Sequence, residues 1–404
     1  MKRRDHVRIL MYSHDTFGLG HLRRCRTIAH HLAERFGGMH IMIISGSPIA
    51  GAFDFKTRVD FIKIPSVIKL RNGEYTSIAQ HMDLDDTMAM RGAMIRDTAK
   101  AFDPDIFIVD KEPVGLRGEL EEALTYLNNH GCSLVLGLRD VMDSPELLAA
   151  EWKRKDIMSR VEAFYHQIWV YGPEGFWDPL MGLEVSASVR ARMTYCGFLQ
   201  RTLPQSYMQP ADGGQSDYIL VTTGGGGDGI ELLRQVLAAY ECEPNLPNDA
   251  LLVMGPFMPG EAREEVAMRA AALDRVRVIE FDNRIEKLIV ESQGVVGMCG
   301  YNTFCELLSF DKRALMIPRV SPRKEQYVRA FRAAELGLID MLHPDEADDP
   351  RVMVEALKRL PTRPRPSDIG FEHMMNGLDV IGDRTFELIS HRHRPMLAVI
   401  EGGM

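Results

Sequence analysis

Short apolar runs alternate with amphipathic stretches along this chain, and the alternation predicts its architecture. Val7-Arg8-Ile9-Leu10-Met11-Tyr12 reads as a buried strand, the loop Phe17-Gly18-Leu19-Gly20 follows, and residues 21–36 carry the apolar periodicity of a helix. Apolar runs at 40–45, 105–110 and 133–138 predict further strands, with helix-like stretches at 83–102 and 118–130 between them. A second series opens at Tyr218 and continues through runs at 250–254, 276–280, 294–298 and 314–318, with a helix-like stretch at 230–240. Strands that alternate with helices imply parallel sheets joined by right-handed crossovers. The expected fold class is α/β, with two Rossmann-like domains whose parallel sheets face a central cleft.

Residues 200–217 hold Pro204, Pro210, Gly213 and Gly214 in a polar stretch with little apolar periodicity, the pattern of an interdomain linker. The expected boundaries are 1–203 for the first domain, 204–217 for the linker, 218–365 for the second domain, and 366–404 for a helical tail that packs back on the first domain. No repeat of solenoid length and no low-complexity tract interrupts the pattern. Ligands of open parallel sheets sit beyond the carboxyl ends of the strands, so the loop after the first strand of each half is expected at the cleft.

Composition narrows the classes. A chain of 404 residues with 45% hydrophobic content suits two domains, each with its own core. A formal charge of −9 argues against a general nucleic-acid binder, which needs a basic face. No apolar run reaches the ~18–20 residues of a membrane span, and Met1 to His6 lead into a strand rather than a signal-peptide core, so a cytoplasmic location is expected. The six cysteines form no C-x-x-C pair and no zinc spacing, which predicts reduced thiols and no structural metal.

The sharpest chemical signal is Val221-Thr222-Thr223-Gly224-Gly225-Gly226-Gly227-Asp228-Gly229, between a predicted strand and a predicted helix. Consecutive glycines remove the Cβ atoms that would hold an anion off the backbone, and the helix start offers free N–H groups and a positive dipole end. The spacing is neither that of the P-loop nor a G-x-G-x-x-G fingerprint. Further on come Phe281-Asp282-Asn283, then Gly300-Tyr301-Asn302-Thr303-Phe304-Cys305-Glu306, then Pro318-Arg319 and Glu325-Gln326. Thr303 and Glu306 read either as a capping box at a helix start or as a ribose-binding carboxylate one turn into a helix that helps to hold a diphosphate.

Taken in order, residues 201–330 resemble the nucleotide-sugar half of GT-B glycosyltransferases, most closely the lipid-linked peptidoglycan N-acetylglucosaminyltransferase family. Gly197-Phe198-Leu199-Gln200-Arg201 keeps the glycine and arginine of that family's Gly-Asn-Pro-x-Arg segment, and the resemblance gives Arg201 a role on the donor diphosphate. The glycine loop with Thr223, Gly224, Gly225, Gly226 and Gly227 is similar to the family's phosphate loop, and Phe281-Asp282 to its base-binding segment. Gly300, Thr303 and Glu306 match its Gly-x-x-Thr-x-x-Glu motif, with Asn302 beside them, which implies a ribose role for Glu306. Glu325 and Gln326 stand where the family carries two glutamines that read the donor sugar. Glu325 is a departure, because an ionised carboxylate only accepts hydrogen bonds whereas an amide also donates. Met298 replaces the family's arginine ahead of this helix.

The first half resembles the family only at Gly18-Leu19-Gly20-His21, where Gly-Gly-His is usual. The longer pattern through Arg24 and Cys25 is similar to a nucleotide-sugar hydrolase of nonulosonic acid biosynthesis, in which the histidine activates water. His21 is the expected general base, since an imidazole titrates near neutral pH; its bland alternative is a role in shaping the loop. Gly20 is expected beside the donor. Asp110 and Glu112 after one strand, and Asp140 and Asp143 after another, are rival bases or plain turn formers. Asp83-Leu84-Asp85-Asp86 reads as the acidic start of a helix over 87–102, and no metal site is predicted. That helix, with Met82, Met88, Met90, Met94 and Ile95 beside Arg91, Arg96 and Lys100, reads as core packing or as an amphipathic face with a basic rim for peripheral membrane contact.

The reading that joins these signals is an inverting, metal-independent glycosyltransferase without a cofactor. It would move a sugar, an N-acetylhexosamine by resemblance, from a UDP-sugar to a hydroxyl of a glycan or lipid-linked acceptor. The alternatives are a nucleotide-sugar hydrolase, a UDP-sugar 2-epimerase and a non-catalytic nucleotide-sugar binder.

Overall fold

The computed structural model describes residues 6–14, 20–69, 75–77, 82–203, 217–225, 227–282 and 284–390. The loop positions Phe17, Gly18 and Leu19, most of the expected linker, Gly226 and Asn283 lie outside the described residues. The chain divides into two compact units, Met1–Leu199 with Asn376–Met404, and Gln200–Met375.

In the first unit the strands are β1 (Val7–Ser13), β2 (Met39–Ser45), β3 (Val59–Lys63), the antiparallel pair β4 (Val67–Lys69) and β5 (Tyr75–Ser77), then β6 (Ile106–Asp110), β7 (Ser133–Arg139), β8 (Gln167–Tyr171) and β9 (Met193–Tyr195). Seven of them form one sheet in the order β3-β2-β1-β6-β7-β8-β9, and every pairing in it is parallel. The central strands are buried end to end, which is why they read as unbroken apolar runs rather than alternating ones. The order reverses between β1 and β6, so the chain's crossovers part there and leave a crevice at the strand ends. Ser13 of β1 stands in register with Ser45 of β2 on one side and Asp110 of β6 on the other.

Helix α1 (Gly20–Arg35) follows β1 and buries Leu22, Cys25, Ile28, Ala29 and Leu32, an i, i+3, i+4, i+7 stripe. Helix α2 (Leu84–Phe102) opens within the acidic stretch that the sequence marks as its start, and Asp83 caps it: the Asp86 N–H donates to the Asp83 carboxylate at 2.7 Å. Its fully buried residues are Thr87, Arg91, Ile95 and Ala99. Helix α3 (Glu121–Asn129) packs beside it. The helix Gly377–Ser390 of the same unit lies against α1, where Arg35 donates to the Asp379 carbonyl at 2.8 Å and pairs with Asp383 at 2.5 Å. The expected tail begins at 366, yet the short helix Pro366–Ile369 belongs to the second unit and the return to the first starts at Asn376.

In the second unit β10 (Tyr218–Thr222), β11 (Asp249–Val253), β12 (Val276–Ile279), β13 (Gly294–Gly297), β14 (Ala314–Met316) and β15 (Asp340–Met341) form a parallel sheet in the order β12-β11-β10-β13-β14-β15. Here the reversal falls between β10 and β13. Each unit carries its own apolar cluster around its own sheet.

Candidate functional site

The switch point of the first unit is built from charged side chains that burial forces to pair. β1 runs straight into His14, and α1 opens with Gly20 and His21. At the end of β6, Asp110 is 1% exposed and takes three contacts from one helix face. Arg24 donates through Nε to Oδ1 at 2.8 Å and through Nη2 to Oδ2 at 2.6 Å, and His21 Nδ1 lies 2.5 Å from the same Oδ2. The first turn of α1 is tied in as well, since Arg24 Nη1 donates to the Gly20 carbonyl at 3.3 Å. A fork of guanidinium donors on a buried carboxylate is the arrangement that makes such a carboxylate tolerable.

These contacts fix protonation states. Burial alone would raise the Asp110 carboxyl, but the Arg24 charge and the His21 hydrogen bond outweigh it and hold it well below the usual carboxylate range. An ionised Asp110 only accepts, so His21 places its ring hydrogen on Nδ1 and leaves a lone pair on Nε2. Burial pushes His21 down to about 4, against the upward pull of Asp110, so the ring is neutral at physiological pH. A neutral, oriented imidazole of 17% side-chain exposure is a competent proton acceptor.

A second relay lies beside the first. Arg91 grips Glu119 through both oxygens, Nε to Oε2 at 2.6 Å and Nη2 to Oε1 at 2.7 Å, and Tyr12 donates to the same carboxylate at 2.5 Å. The Tyr12 hydroxyl has one hydrogen, and Glu119 takes it. His14 Nδ1, 3.2 Å from that hydroxyl, is therefore the donor, and its Nε2 also keeps a lone pair. The His14 and His21 rings meet edge to face with centroids 5.7 Å apart. Burial lowers His14 to about 3 despite the nearby Glu112.

This geometry revises two expectations. Asp110, a rival base in the sequence, is paired with His21 and Arg24. Arg91, expected on the basic rim of α2, is fully buried because Glu119 and the Pro65 carbonyl, at 2.6 Å, claim its donors. Glu112 is turned toward Lys111 Nζ at 3.3 Å, and Lys111 itself sits at φ +71°, the left-handed region, directly after β6. Asp143 accepts from the Ser144 N–H at 2.9 Å, and Asp140 is buried against Gly172, so the second pair of rivals is engaged in local structure.

The switch point of the second unit is made of backbone instead. After β10, the Gly224 N–H donates to Thr222 Oγ1 at 3.2 Å and Gly224 adopts φ +66°. Thr223, expected at the donor, donates its hydroxyl to the Met254 carbonyl at 2.6 Å and so anchors the loop to the end of β11. The Gly225 carbonyl accepts from the Phe257 N–H at 2.9 Å. Gly229 caps the helix Ile230–Cys242, and a Cβ there would stand 2.2 Å from that of Thr223, so only glycine lets the loop fold onto itself.

Across the reversal, β13 leads to Cys299 at φ +61° and to Gly300, the N-cap of the helix Tyr301–Ser309. The expected capping box is not formed. Thr303 is the third residue inside the helix and Glu306 lies a turn deeper, because the extended Gly300 starts the helix three residues earlier than a Thr303 cap would. Glu306 is 1% exposed and Asn302 8%. Arg201 donates to Asn302 Oδ1 at 2.9 Å, and its backbone N–H donates to Ser309 Oγ at 2.9 Å, which holds the arginine along this helix. Phe281 presents a half-exposed ring at 42%, and Asp282 accepts from the Arg284 N–H at 2.7 Å.

Glu325 and Gln326 begin the helix Glu325–Glu335. Both are tied to Arg319, a residue with no predicted role. Its Nη2 donates to Glu325 Oε1 at 2.6 Å, its backbone N–H to Gln326 Oε1 at 3.2 Å, and its Nη1 to Asp228 of the glycine loop. Pro318-Arg319 stands among the polar signals of the sequence, but nothing there gives Arg319 a role, since its partners lie 91 and 6 residues away along the chain. Among the described residues no group of three His, Cys, Asp or Glu could hold a metal ion, and no helix is long and apolar enough to cross a membrane.

Residues 218–366 match the Glycosyltransferase family 28 C-terminal domain. The matched segment takes in the sheet β10–β15 and the glycine loop. No curated protein sequence matches the chain. Solved structures do resemble it along nearly its whole length. The calicheamicin glycosyltransferase CalG4 is 15% identical, with 96% of this chain and 100% of that one covered and a TM-score of 0.63. LpCGTa, solved in complex with UDP, is 13% identical over 95% and 99%, with a TM-score of 0.62. The UDP-GlcNAc 2-epimerase from Neisseria meningitidis bound to UDP-GlcNAc is 12% identical over 96% and 100%, with a TM-score of 0.59. At such identities the likeness establishes the GT-B fold, two Rossmann-like units with parallel sheets. Together with the family 28 match it supports a glycosyltransferase, and it leaves donor sugar, acceptor and stereochemistry to chemistry.

Proposed function

We propose that this protein is an inverting glycosyltransferase that moves a sugar, an N-acetylhexosamine or a relative, from a UDP-sugar to a hydroxyl of a glycan or lipid-linked acceptor. The observation that carries the reading is the His21–Asp110–Arg24 cluster, an imidazole held neutral with Nε2 available, in a chain whose residues 218–366 match the Glycosyltransferase family 28 C-terminal domain. His21 Nε2 takes the acceptor hydroxyl proton as the oxygen attacks the anomeric carbon and the UDP leaves. Asp110 stabilises the imidazolium that forms, an interaction stronger in the transition state than before it. The backbone N–H groups of the glycine loop, the helix start at Gly300 and Arg201 meet the charge that grows on the departing diphosphate. The fixed positive groups of this site suffice for that role without a metal. Glu306 binds the ribose and Phe281 the base in this reading. A lipid-linked acceptor would bring the first unit to a membrane surface, which flotation with anionic vesicles tests.

The deciding experiment incubates the purified protein with UDP-N-acetylglucosamine and candidate acceptors, identifies the products by mass, and repeats the assay with His21→Ala. Sugar on an acceptor, lost in the variant while UDP binding persists, upholds the reading. Free sugar alone would make it a hydrolase, for which the Gly20-His21-x-x-Arg24-Cys25 pattern argues; an isomerised nucleotide sugar would make it an epimerase. UDP binding with no turnover would leave a binding protein.

A further inference from the structure

Arg319 bridges two carboxylates of very different exposure. Glu325 is 7% exposed at its side chain and Asp228 45%, and the guanidinium between them is 23% exposed. Both carboxylates thus pair with the same guanidinium. Among the described residues Arg319 Nε is buried with no hydrogen-bond partner, so the guanidinium holds a donor in reserve. Asp228 directly follows the glycine run and stands two residues ahead of the helix Ile230–Cys242, where the peptide dipoles favour an anion.

We propose that Asp228 is a built-in occupant of the phosphate position, and that a nucleoside diphosphate displaces it from Arg319 on binding. The inference rests on the donor-site reading above and adds to it a residue and an exchange that no part of that reading contains.

The asymmetry of the two pairs decides which one breaks. An exposed ion pair is worth little against water and salt, so Asp228 is released at small cost. Leaving Glu325 buried without its partner is expensive, so that half stays. Arg319 then offers Nη1, released by Asp228, to a phosphate oxygen as a charged donor. The same exchange accounts for Glu325 at a position where the resembling family has glutamine. Its charge is neutralised by Arg319 and does not face the donor as a free anion. Gln326, whose carbonyl oxygen is taken by the Arg319 N–H, has its amide hydrogens left to donate.

Binding titrations of the full chain with UDP and with inorganic pyrophosphate test this, using the wild type, Asp228→Asn and Arg319→Ala. Asp228→Asn removes the competitor and should tighten UDP and pyrophosphate about threefold, since that is the scale of an exposed pair. Arg319→Ala should weaken both about tenfold or more, the scale of a charged hydrogen bond. Arg319→Gln combined with Glu325→Gln keeps the volume, leaves no unpaired buried charge, and should weaken binding to a similar degree if the single variant folds poorly. Uridine, which lacks the phosphates, should bind all variants alike. Wild-type binding of UDP with no tightening in Asp228→Asn overturns the exchange and leaves the donor site standing. Pyrophosphate binding with these shifts, but no response to UDP, keeps the exchange and removes the proposed function. No binding of either probe overturns both.

Discussion

The two units answer the same topological problem with opposite materials. Each opens its sheet where the strand order reverses, β1 against β6 in one and β10 against β13 in the other, and each places a non-glycine residue in the left-handed region just past the second strand, Lys111 and Cys299. The first unit then fills the crevice with buried charge: Asp110, Arg24, His21, and behind them Glu119, Arg91, Tyr12 and His14. The second lines it with glycine, backbone N–H groups and two helix starts. A side chain with a tuned proton affinity can perform acid–base chemistry. Backbone donors cannot titrate and instead receive an anion that arrives with its charge. Under the proposed function the difference is a division of labour, with proton transfer in the first unit and charge reception in the second.

The sharpest way to break that division is Asp110→Asn. The asparagine amide can donate to His21 Nδ1, which moves the ring hydrogen to Nε2 and removes the base, while Arg24 loses its countercharge. Turnover should fall by about 10²–10⁴, the range that general-base catalysis supplies. UDP affinity, which depends on the other unit, should hold. Calorimetric titration beside a product assay checks both, and a loss of UDP binding equal to the loss of turnover would erase the distinction.

The second relay is predicted to matter for stability. Arg91→Met leaves Glu119 buried without its partner, and breaking such a pair from one side costs roughly 3–5 kcal/mol. Denaturant unfolding of the variant should show that loss. Arg91→Met with Glu119→Leu should recover much of it, because an apolar pair needs no solvation. A single variant within about 0.5 kcal/mol of wild type would mean that water already reaches the pair.

Charge in the first unit also predicts an acid-sensitive fold. His21 and His14 are pushed down to about 4 and about 3 by burial, from an ordinary 6.5. Between pH 6.5 and about 4 the unfolded chain binds protons that the folded one refuses, so stability rises with pH across that window and falls as acid is added. Asp110, held low, contributes stability that is present above its ordinary 3.8 and lost only in stronger acid. His30, also lowered to about 3 by burial, adds to the slope from outside the site. His14→Gln should flatten the slope by about 1.4 kcal/mol per pH unit, one histidine's share, in melts followed from pH 7 to 4.

What the sequence revealed follows the same divide. The central strands were legible because a strand buried on both faces must be apolar throughout, and the glycine run because backbone-only binding leaves its mark in consecutive letters. β3, with Asp60 and Lys63 in its five residues, and the two-residue β15 carry too little apolar pattern to be predicted. In the charged site the sequence marked His21, Arg24 and Asp110 one by one, Asp110 as a rival base, and it marked none of their pairings. The partners are distant: Asp110 is 89 residues from His21, and Arg91 reaches Glu119 across 28. Letters give residue types, and a buried pair is a fact of tertiary structure. The capping-box alternative for Thr303 is not formed for a local cause, since Gly300 at φ −62°, ψ 150° meets the geometry of an N-cap without a side chain.

The smallest expected structural effect offers the cleanest probe of the second unit. Gly300 lies in a region of backbone space open to every residue, and a Cβ built on it has nothing within 4 Å. Gly300→Ala should therefore leave folding within about 0.5 kcal/mol of wild type. Gly229→Ala, by contrast, collides with Thr223 at 2.2 Å and should disturb the loop whether or not a ligand binds. A diphosphate seated on the helix start would need the space that the Gly300 methyl takes, so UDP affinity should drop about tenfold, one hydrogen bond to a charged group. Melting and titration of Gly300→Ala separate the two demands on this glycine. An unchanged melt with weakened UDP makes the open space a ligand's, whereas an unchanged melt with unchanged UDP places the phosphates elsewhere on the glycine loop and confines the role of Gly300 to starting its helix.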